Sequence, residues 1–393
     1  DAEKTPKEAM FKAQEDSIKA DVSAMGTLKS ALTTFQDAVK KLQTGEALNQ
    51  RKISVSNSTY LTATADKTAQ TGSYAIKVEQ LAVNHKIAGT NVTDPALGVG
   101  EGSLAFGVNG NNFSVDVSAT DSLDAIAKKV NEAPDNVGVT ATVITSDAGS
   151  RLVFSSDKSG EDNQISITAT DTTGSGLSNM FDAMNTTTLQ DAKNAVLYID
   201  NQKVTSQTNE VKNAITGVTL QLTDADLTKT TSLKIEQDND AVKTNVKAFV
   251  DAYNSLVTTV DKLSSYDQDT NTAAALQGDS MIRSIESQLR SIASERVPTE
   301  DGGSIALYDI GIKTDRYGKL SIDDTKLDKV LSEDMSSVEA LFATPEKGLA
   351  NRFYDVSESY VKSRGVIADR ETSYTNQQSR LAEQREAFTL KMD

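Results

Sequence analysis

The spacing of apolar residues changes along this chain, and that change constrains its fold more than any other feature. Near the start, Phe11, Ile18, Met25, Leu32 and Val39 recur every seven residues, and Leu28, Phe35 and Leu42 form a second row three positions behind. An apolar seam at this spacing keeps one stripe of a helix against a neighbour. Gly45 is the expected stop. After residue 238 the pattern returns, with Val242, Phe249, Leu256 and Leu263 in one row and Val246, Tyr253 and Val260 in the other. Asp238 or Asn239 is expected to cap this helix. A further helix follows Gly278, capped by Asp279, with Ile282, Ile285, Leu289 and Ile292 on one face, until Pro298 and Gly302-Gly303 break the chain. Toward the end Phe353, Tyr360, Ile367, Tyr374, Leu381 and Phe388 are again seven apart, but Gln377 and Gln384 fill the companion row and Gly365 interrupts it. These stripes fit either ordinary bundle packing or a supercoiled pair. In both cases the two ends of the chain must meet, because a helix with one apolar stripe does not stay exposed.

Between Thr59 and Glu236 the period is two. Tyr74, Ile76 and Val78 alternate with polar residues, as do Leu104, Phe106 and Val108, then Phe113, Val115 and Val117. The last two runs flank Asn109-Gly110, a pair suited to the two positive-φ positions of a tight hairpin. Further strands are expected at 139–144, 151–155, 164–168, 196–199, 218–222 and 232–235, with one helix at 122–131 capped by Asp121. The fold class is therefore α+β and multidomain: a helical bundle or coiled-coil stalk built from both chain ends, with two nested, inserted β-rich heads. The expected divisions are 1–56 plus 238–393 for the stalk, 57–94 plus 189–237 for an inner head, and 95–188 for an outer head. A chain of 393 residues exceeds the length at which one core usually splits.

Charge and composition narrow the function. A formal net charge of −16 argues against nucleic acid and against an anionic membrane surface. No run approaches the roughly 18 apolar residues of a membrane span, so no membrane insertion is expected, and no cleavable signal is recognisable. The chain starts and stops inside helical patterns, and its helices are expected to continue beyond both ends. There is no cysteine, which excludes disulfides, thiolate metal sites and thiol nucleophiles. The single histidine, His85, lacks any partner constellation for base catalysis and is expected to be structural or on the surface. The carboxylate pairs Asp323-Asp324, Glu161-Asp162 and Glu333-Asp334 sit at turns or helix starts, where they serve as caps rather than as a glycosidase pair. Asp267, Asp269 and Asn271 imitate the opening of a calcium loop. Thr272 stands where glycine is needed and Gly278 where a bidentate glutamate is needed, so a solvated interhelix loop is the better reading. No phosphate loop, dinucleotide fingerprint or nucleophile elbow occurs. The chain reads as a self-assembling structural protein and not an enzyme, with no metal and no cofactor.

An ordered set of segments resembles one family. Met25-Gly26-Thr27-Leu28-Lys29-Ser30-Ala31-Leu32 is similar to the N-terminal helix of the flagellar filament cap family, also called hook-associated protein 2. Tyr74-Ala75-Ile76-Lys77-Val78 with Gln80-Leu81-Ala82, then Phe249-Val250-Asp251-Ala252-Tyr253-Asn254-Ser255-Leu256, then Leu276-Gln277-Gly278-Asp279-Ser280 follow in the family's order. Asp309-Ile310-Gly311-Ile312, Gly318-Lys319-Leu320-Ser321-Ile322-Asp323 and Leu341-Phe342 complete it. Gly138-Val139-Thr140-Ala141 and Asn213-Ala214-Ile215-Thr216-Gly217-Val218-Thr219-Leu220 resemble stretches shared by flagellar axial proteins. The resemblance is weakest at 95–188.

The resemblance implies a secreted structural cap at the tip of the bacterial flagellum, exported through the type III apparatus without a cleaved signal and lacking most of the family's terminal coiled coils. It implies a ring-like homo-oligomer, a pentamer by default, shaped as a plate with legs that promotes folding and insertion of flagellin. Other implied partners are the hook–filament junction proteins and an export chaperone at a C-terminus beyond Asp393. Stalk packing falls to Met25, Leu28, Leu32, Phe35, Val39, Val242, Val246, Phe249, Tyr253, Leu256 and Val260. The loop with Asp267, Asp269 and Asn271 is the candidate leg contact. A hook–filament junction protein and an extracellular adhesin remain as alternatives, and adhesion as a secondary role.

Overall fold

A computed structural model of the protein describes residues 4–269 and 271–392. The chain divides into a helical unit, up to Gln50 and from Gln237 onward, and a β unit, Arg51–Glu236.

Helix α1 (Lys4–Lys40) opens the helical unit and ends ahead of Gly45, whose φ of 74° is left-handed. A Cβ at Gly45 would also collide with the Glu339 carboxylate, so both conformation and space favour glycine there.

The β unit then runs β1 (Arg51–Val55), β2 (Leu61–Ala65), β3 (Gly72–Gln80), β4 (Asn84–Ala88), β5 (Glu101–Val108), β6 (Asn111–Val117), α2 (Leu123–Asn131), β7 (Val139–Ser146) and β8 (Gly149–Ser159). It continues with β9 (Ser166–Thr173), α3 (Gly176–Phe181), β10 (Thr187–Gln190), β11 (Ala195–Ile199), β12 (Gln202–Ser206), β13 (Glu210–Ile215), β14 (Val218–Leu222) and β15 (Thr231–Gln237). Two cores form within it. One lies between the sheet β1-β15-β3-β11-β12 and the sheet β13-β14-β2, where Leu61, Ile76, Leu197, Leu220 and Leu233 are buried. The other lies among the sheet β10-β4-β8-β7, the sheet β6-β5-β9 and both helices. At its centre Phe106 stacks on Phe113 at 5.0 Å and meets Phe154 at 5.1 Å. Strands β5 and β6 join through Asn109 (φ 49°) and Gly110 (φ 74°), with Val108 paired to Asn111, the two-residue turn expected for that pair.

The structure corrects several local expectations. Residues 51–55 belong to the β unit as an edge strand: Arg51-Lys52-Ile53-Ser54-Val55 alternates and half-buries every other residue. The 84–88 stretch joins the second core by pairing with β8 and β10, so that module begins earlier than residue 95. Helix α2 is capped by Ser122, whose Oγ accepts the Ala125 amide. Asp121 instead accepts the Ser118 amide and pairs with Lys129.

The helical unit resumes with α4 (Asn239–Ser264), α5 (Ser280–Ala293), α6 (Asp324–Glu333), α7 (Met335–Ala343), α8 (Leu349–Val361) and α9 (Val366–Met392). Asp238 caps α4 by accepting the Ala241 amide, and Asp279 caps α5 through the Met281 amide. Helix α1 packs against α4, α8 and α9. Their shared centre is aromatic: Phe35 meets Phe353 at 5.5 Å and Tyr253 at 6.1 Å, and Phe249 meets Phe342 at 5.2 Å. Gln36 of α1 donates to Glu358, and Gln43 in the turn just after α1 donates to Asn351; the two pairs step seven residues in opposite directions and fix the antiparallel register of α1 and α8. This part is bundle packing. A simple helix pair occurs where α1 meets α9, with Phe11 against Phe388 at 5.8 Å and Lys29 facing Glu371 at 3.3 Å. The seven-residue row from Phe353 to Phe388 runs across a break. Residues 362–365 separate α8 from α9, and a Cβ at Gly365 would lie 2.8 Å from the Ser359 and Tyr360 carbonyls.

Because Phe249 is 1% exposed at the junction of α1, α4, α7 and α8, Phe249→Ala is expected to destabilise the protein by about 3–5 kcal/mol. Denaturant unfolding checks this; a loss below about 1 kcal/mol would mean the layer is not close-packed.

Candidate assembly surface

The apolar rows of the helical unit face inward. Met25, Leu28, Leu32, Phe35 and Val39 of α1 and Val242, Val246, Phe249, Tyr253, Leu256 and Val260 of α4 lie in one buried cluster. They build the scaffold and are not available to a partner. Contact therefore falls to what the scaffold exposes.

An exposed segment follows α4. Tyr266–Asp267 pairs with Thr272–Ala273 as a short hairpin. Asn271 turns the chain at φ 50° and accepts the Tyr266 hydroxyl at 3.1 Å; the Asp269 amide donates to Asp267 Oδ1 at 2.9 Å. The side chains of Asp267, Asp269 and Asn271 are all exposed, which makes this an acidic surface. Among the described residues no group of three His, Cys, Asp or Glu side chains could hold a metal ion. Helix α4, the face of α5 and the 315–319 turn form a small cleft lined by Tyr253, Asp261, Glu286, Arg290, Tyr317 and Gly318. Burial raises the Glu286 carboxyl above the usual carboxylate range, and Asp261 adds to the rise against the pull of Arg290. Burial pushes the Tyr253 hydroxyl up to about 12, and it has no hydrogen-bond partner among the described residues. Sequence reasoning missed this cleft, since no periodicity links α5 to the 315–319 turn. The only local signal was Gly318, at φ 86°.

The remaining titratable candidates are structural. His85 is buried; its Nδ1 accepts the Ile165 amide at 3.0 Å and its own amide donates to Ser156 Oγ at 2.9 Å. Burial lowers its pKa against the opposing effect of Asp191, so it serves as a neutral clip. Asp323 caps α6 through the Lys326 amide, and Asp334 caps α7 through the Ser337 amide. Asp324 bonds Lys247 at 2.9 Å and Lys243 at 3.0 Å, and these bonds hold it below the usual carboxylate range. Glu161 and Asp162 lie in the short turn Glu161–Asn163. No helix among the described residues is long and apolar enough to cross a membrane.

Comparison with known proteins decides the family. The model of the flagellar hook-associated protein 2 C-terminus matches residues 192–393, that of its N-terminus matches 1–85, and a flagellin hook IN motif matches 103–158. The chain belongs to the flagellar hook-associated protein 2 family. The A-type flagellar hook-associated protein 2 of Pseudomonas aeruginosa is 33% identical over 420 residues, covering 100% of this chain and 86% of that protein. Flagellar hook-associated protein 2 of Escherichia coli K12 is 30% identical, covering 90% and 79%. The crystal structure of the flagellar cap protein FliD D1-D2-D3 domains from Escherichia coli superposes with a TM-score of 0.81 at 30% identity, covering 90% of this chain and 99% of that one. The function is that of a filament cap, a structural role, and the junction-protein and adhesin alternatives are not favoured.

In a cap protein the cleft is a stability element with a defined pH dependence. Glu286 holds its proton more tightly folded than unfolded, so its contribution to stability falls as pH rises above the ordinary value of 4.5. Glu286→Gln is expected to raise the melting temperature at neutral pH, and the gap to wild type should close as pH drops toward 4.5. Calorimetry across that range checks it; equal melting temperatures throughout would refute the assignment.

Proposed function

We propose that this chain forms a ring-like homo-oligomer at the distal tip of the flagellar filament. The β unit forms a plate and the helical unit supplies legs. The division into three modules suggested by the sequence, with boundaries adjusted to the strands above, belongs to this reading. Flagellin leaving the channel meets an enclosed space beneath the plate, where confinement raises its effective concentration at the growing end. Work comes from binding geometry with no covalent step, so no catalytic residue is assigned. Export through the type III apparatus, and contacts with junction proteins and an export chaperone, are part of the same reading.

Family membership carries it, and the disposition of side chains supports it. Because the apolar rows are consumed within the bundle, leg contacts fall to exposed polar tips. Exposed ionic contacts each contribute only about 0–1 kcal/mol, as a cap that must shift at every insertion requires. The hairpin that pairs Tyr266–Asp267 with Thr272–Ala273 is the leg contact we assign, since the Asp267 and Asp269 carboxylates on it are exposed.

Expression in a bacterium lacking its own cap, with compatible flagellin, tests both levels. Wild type is expected to restore filaments and stop monomer leakage into the medium. Asp267→Asn combined with Asp269→Asn is expected to shorten filaments several-fold with normal export. Full-length filaments from that variant would remove the hairpin from the leg contact. Undiminished leakage from exported wild type would remove the cap mechanism itself.

A further inference from the structure

Strand β7 lies at one edge of its sheet, and its outward backbone groups are treated in two ways. The β7–β8 hairpin closes on the pair Ser146 and Gly149, so Thr140, Thr142, Ile144 and Ser146 exchange hydrogen bonds with β8, and Val139, Ala141, Val143 and Thr145 aim theirs outward. Asn136 caps the first of these, accepting the Val139 amide at 2.9 Å and donating to its carbonyl at 2.8 Å. Asn131 caps the second, accepting the Ala141 amide at 2.7 Å and donating to its carbonyl at 2.9 Å. Each asparagine imitates a neighbouring strand. Among the described residues no side chain does the same for Val143 or Thr145. The last half of the edge is left open, although protein edges are normally blunted by charge, proline or cover.

The opposite edge of the same sheet is β10. It pairs with β4 through Thr187, Thr188 and Gln190, leaving Leu189 as a bulged residue. Of the large apolar residues exposed in the β unit, the two on strands are Ile144 on β7, at 46%, and Leu189 on β10, at 41%. They stand on the two opposite edges of one sheet. Neither Val139–Ser146 nor Thr187–Gln190 carries an ionisable side chain. In a chain with a net charge of −16, edges without ionisable groups add no local repulsion when two copies meet.

We propose that the open end of β7 in one copy docks against the β10 edge of a second copy, with Ile144 and Leu189 as its apolar anchors. The two edges differ, so the joint is head-to-tail. A self-complementary patch would stop at a dimer, whereas unlike edges propagate and close into a ring if the rotation allows. This rests on the oligomeric reading above and adds the surface that makes it.

The chain has no cysteine, so Thr142→Cys and Thr187→Cys introduce the only thiols, each at an exposed position beside an anchor. The full chain is treated with a short bis-maleimide, with its assembly followed by sedimentation. The double variant is expected to give a ladder of dimers and higher species. Either single variant alone should give none, and a mixture of the two singles should give dimers only. Ile144→Lys, at an exposed site that leaves the melting temperature unchanged, should weaken association at least tenfold. Dimers from Thr142→Cys alone would replace the head-to-tail joint with a two-fold one and overturn the proposal. Oligomers without a ladder, or untouched by Ile144→Lys, would overturn the edge joint and leave ring assembly standing. A chain monomeric at every concentration would overturn both.

Discussion

The helical unit depends on one contact, the aromatic layer in which Phe35 of α1 meets Tyr253 of α4 and Phe353 of α8. These residues come from both sides of the whole β unit. The entropy of closing such a loop grows only slowly with length, about 0.6 kcal/mol for each doubling. Fully burying one phenylalanine gains about 1.5–3 kcal/mol, so a single aromatic layer outweighs many doublings. A helical scaffold can therefore carry a large insertion between α1 and α4 with little thermodynamic penalty. The split unit follows from that arithmetic rather than from any unusual local sequence.

An aliphatic seam with a seven-residue repeat is indifferent to slippage by one repeat, so burial alone does not set which layer meets which. Polar pairs at the flank of the seam do. Gln36 with Glu358, and Gln43 of the turn after α1 with Asn351, can be satisfied together in only one antiparallel alignment of α1 and α8. Lys243 and Lys247 on α4 converge on Asp324 and, for Lys243, on Asp328, seating α6 on the same scaffold. Such contacts add modest stability and mainly exclude alternatives.

What was legible in the sequence was whatever repeats. Rows on α1 and α4, the face of α5, the β5–β6 hairpin and the strands β7 and β8 could be read because a periodic half of each faces a core. Helices α6 and α7 were legible only as possible starts at Asp323-Asp324 and Glu333-Asp334, being too short for periodicity to separate them from loop. Strand β4 was assigned to the wrong module because its alternation says that a face is buried but not against which partner. The C-terminal row misled in the opposite direction. Phe353, Tyr360, Ile367 and Tyr374 do share one core, yet the repeat spans two helices, so equal spacing there reflects the geometry of the Gly365 break. For the assembly surface, the acidic loop stood out by composition. The cleft beneath Tyr253 did not, because its walls come from α4, α5 and the 315–319 turn.

Charge separates the two kinds of contact proposed for this molecule. At a net charge of −16 two copies repel at long range, and an uncharged contact surface adds nothing to that repulsion. Neutral edges such as Val139–Ser146 and Thr187–Gln190 suit like-to-like contact. Exposed carboxylates, as at Asp267 and Asp269, suit a partner whose groups there are cationic or hydrogen-bond donors. Their exposure lets salt screen the attraction beyond about 8–10 Å. The mechanism proposed above needs that difference: proposed joints between copies built on backbone pairing and apolar anchors, which persist, and proposed contacts to the filament built on exposed charge, which exchange.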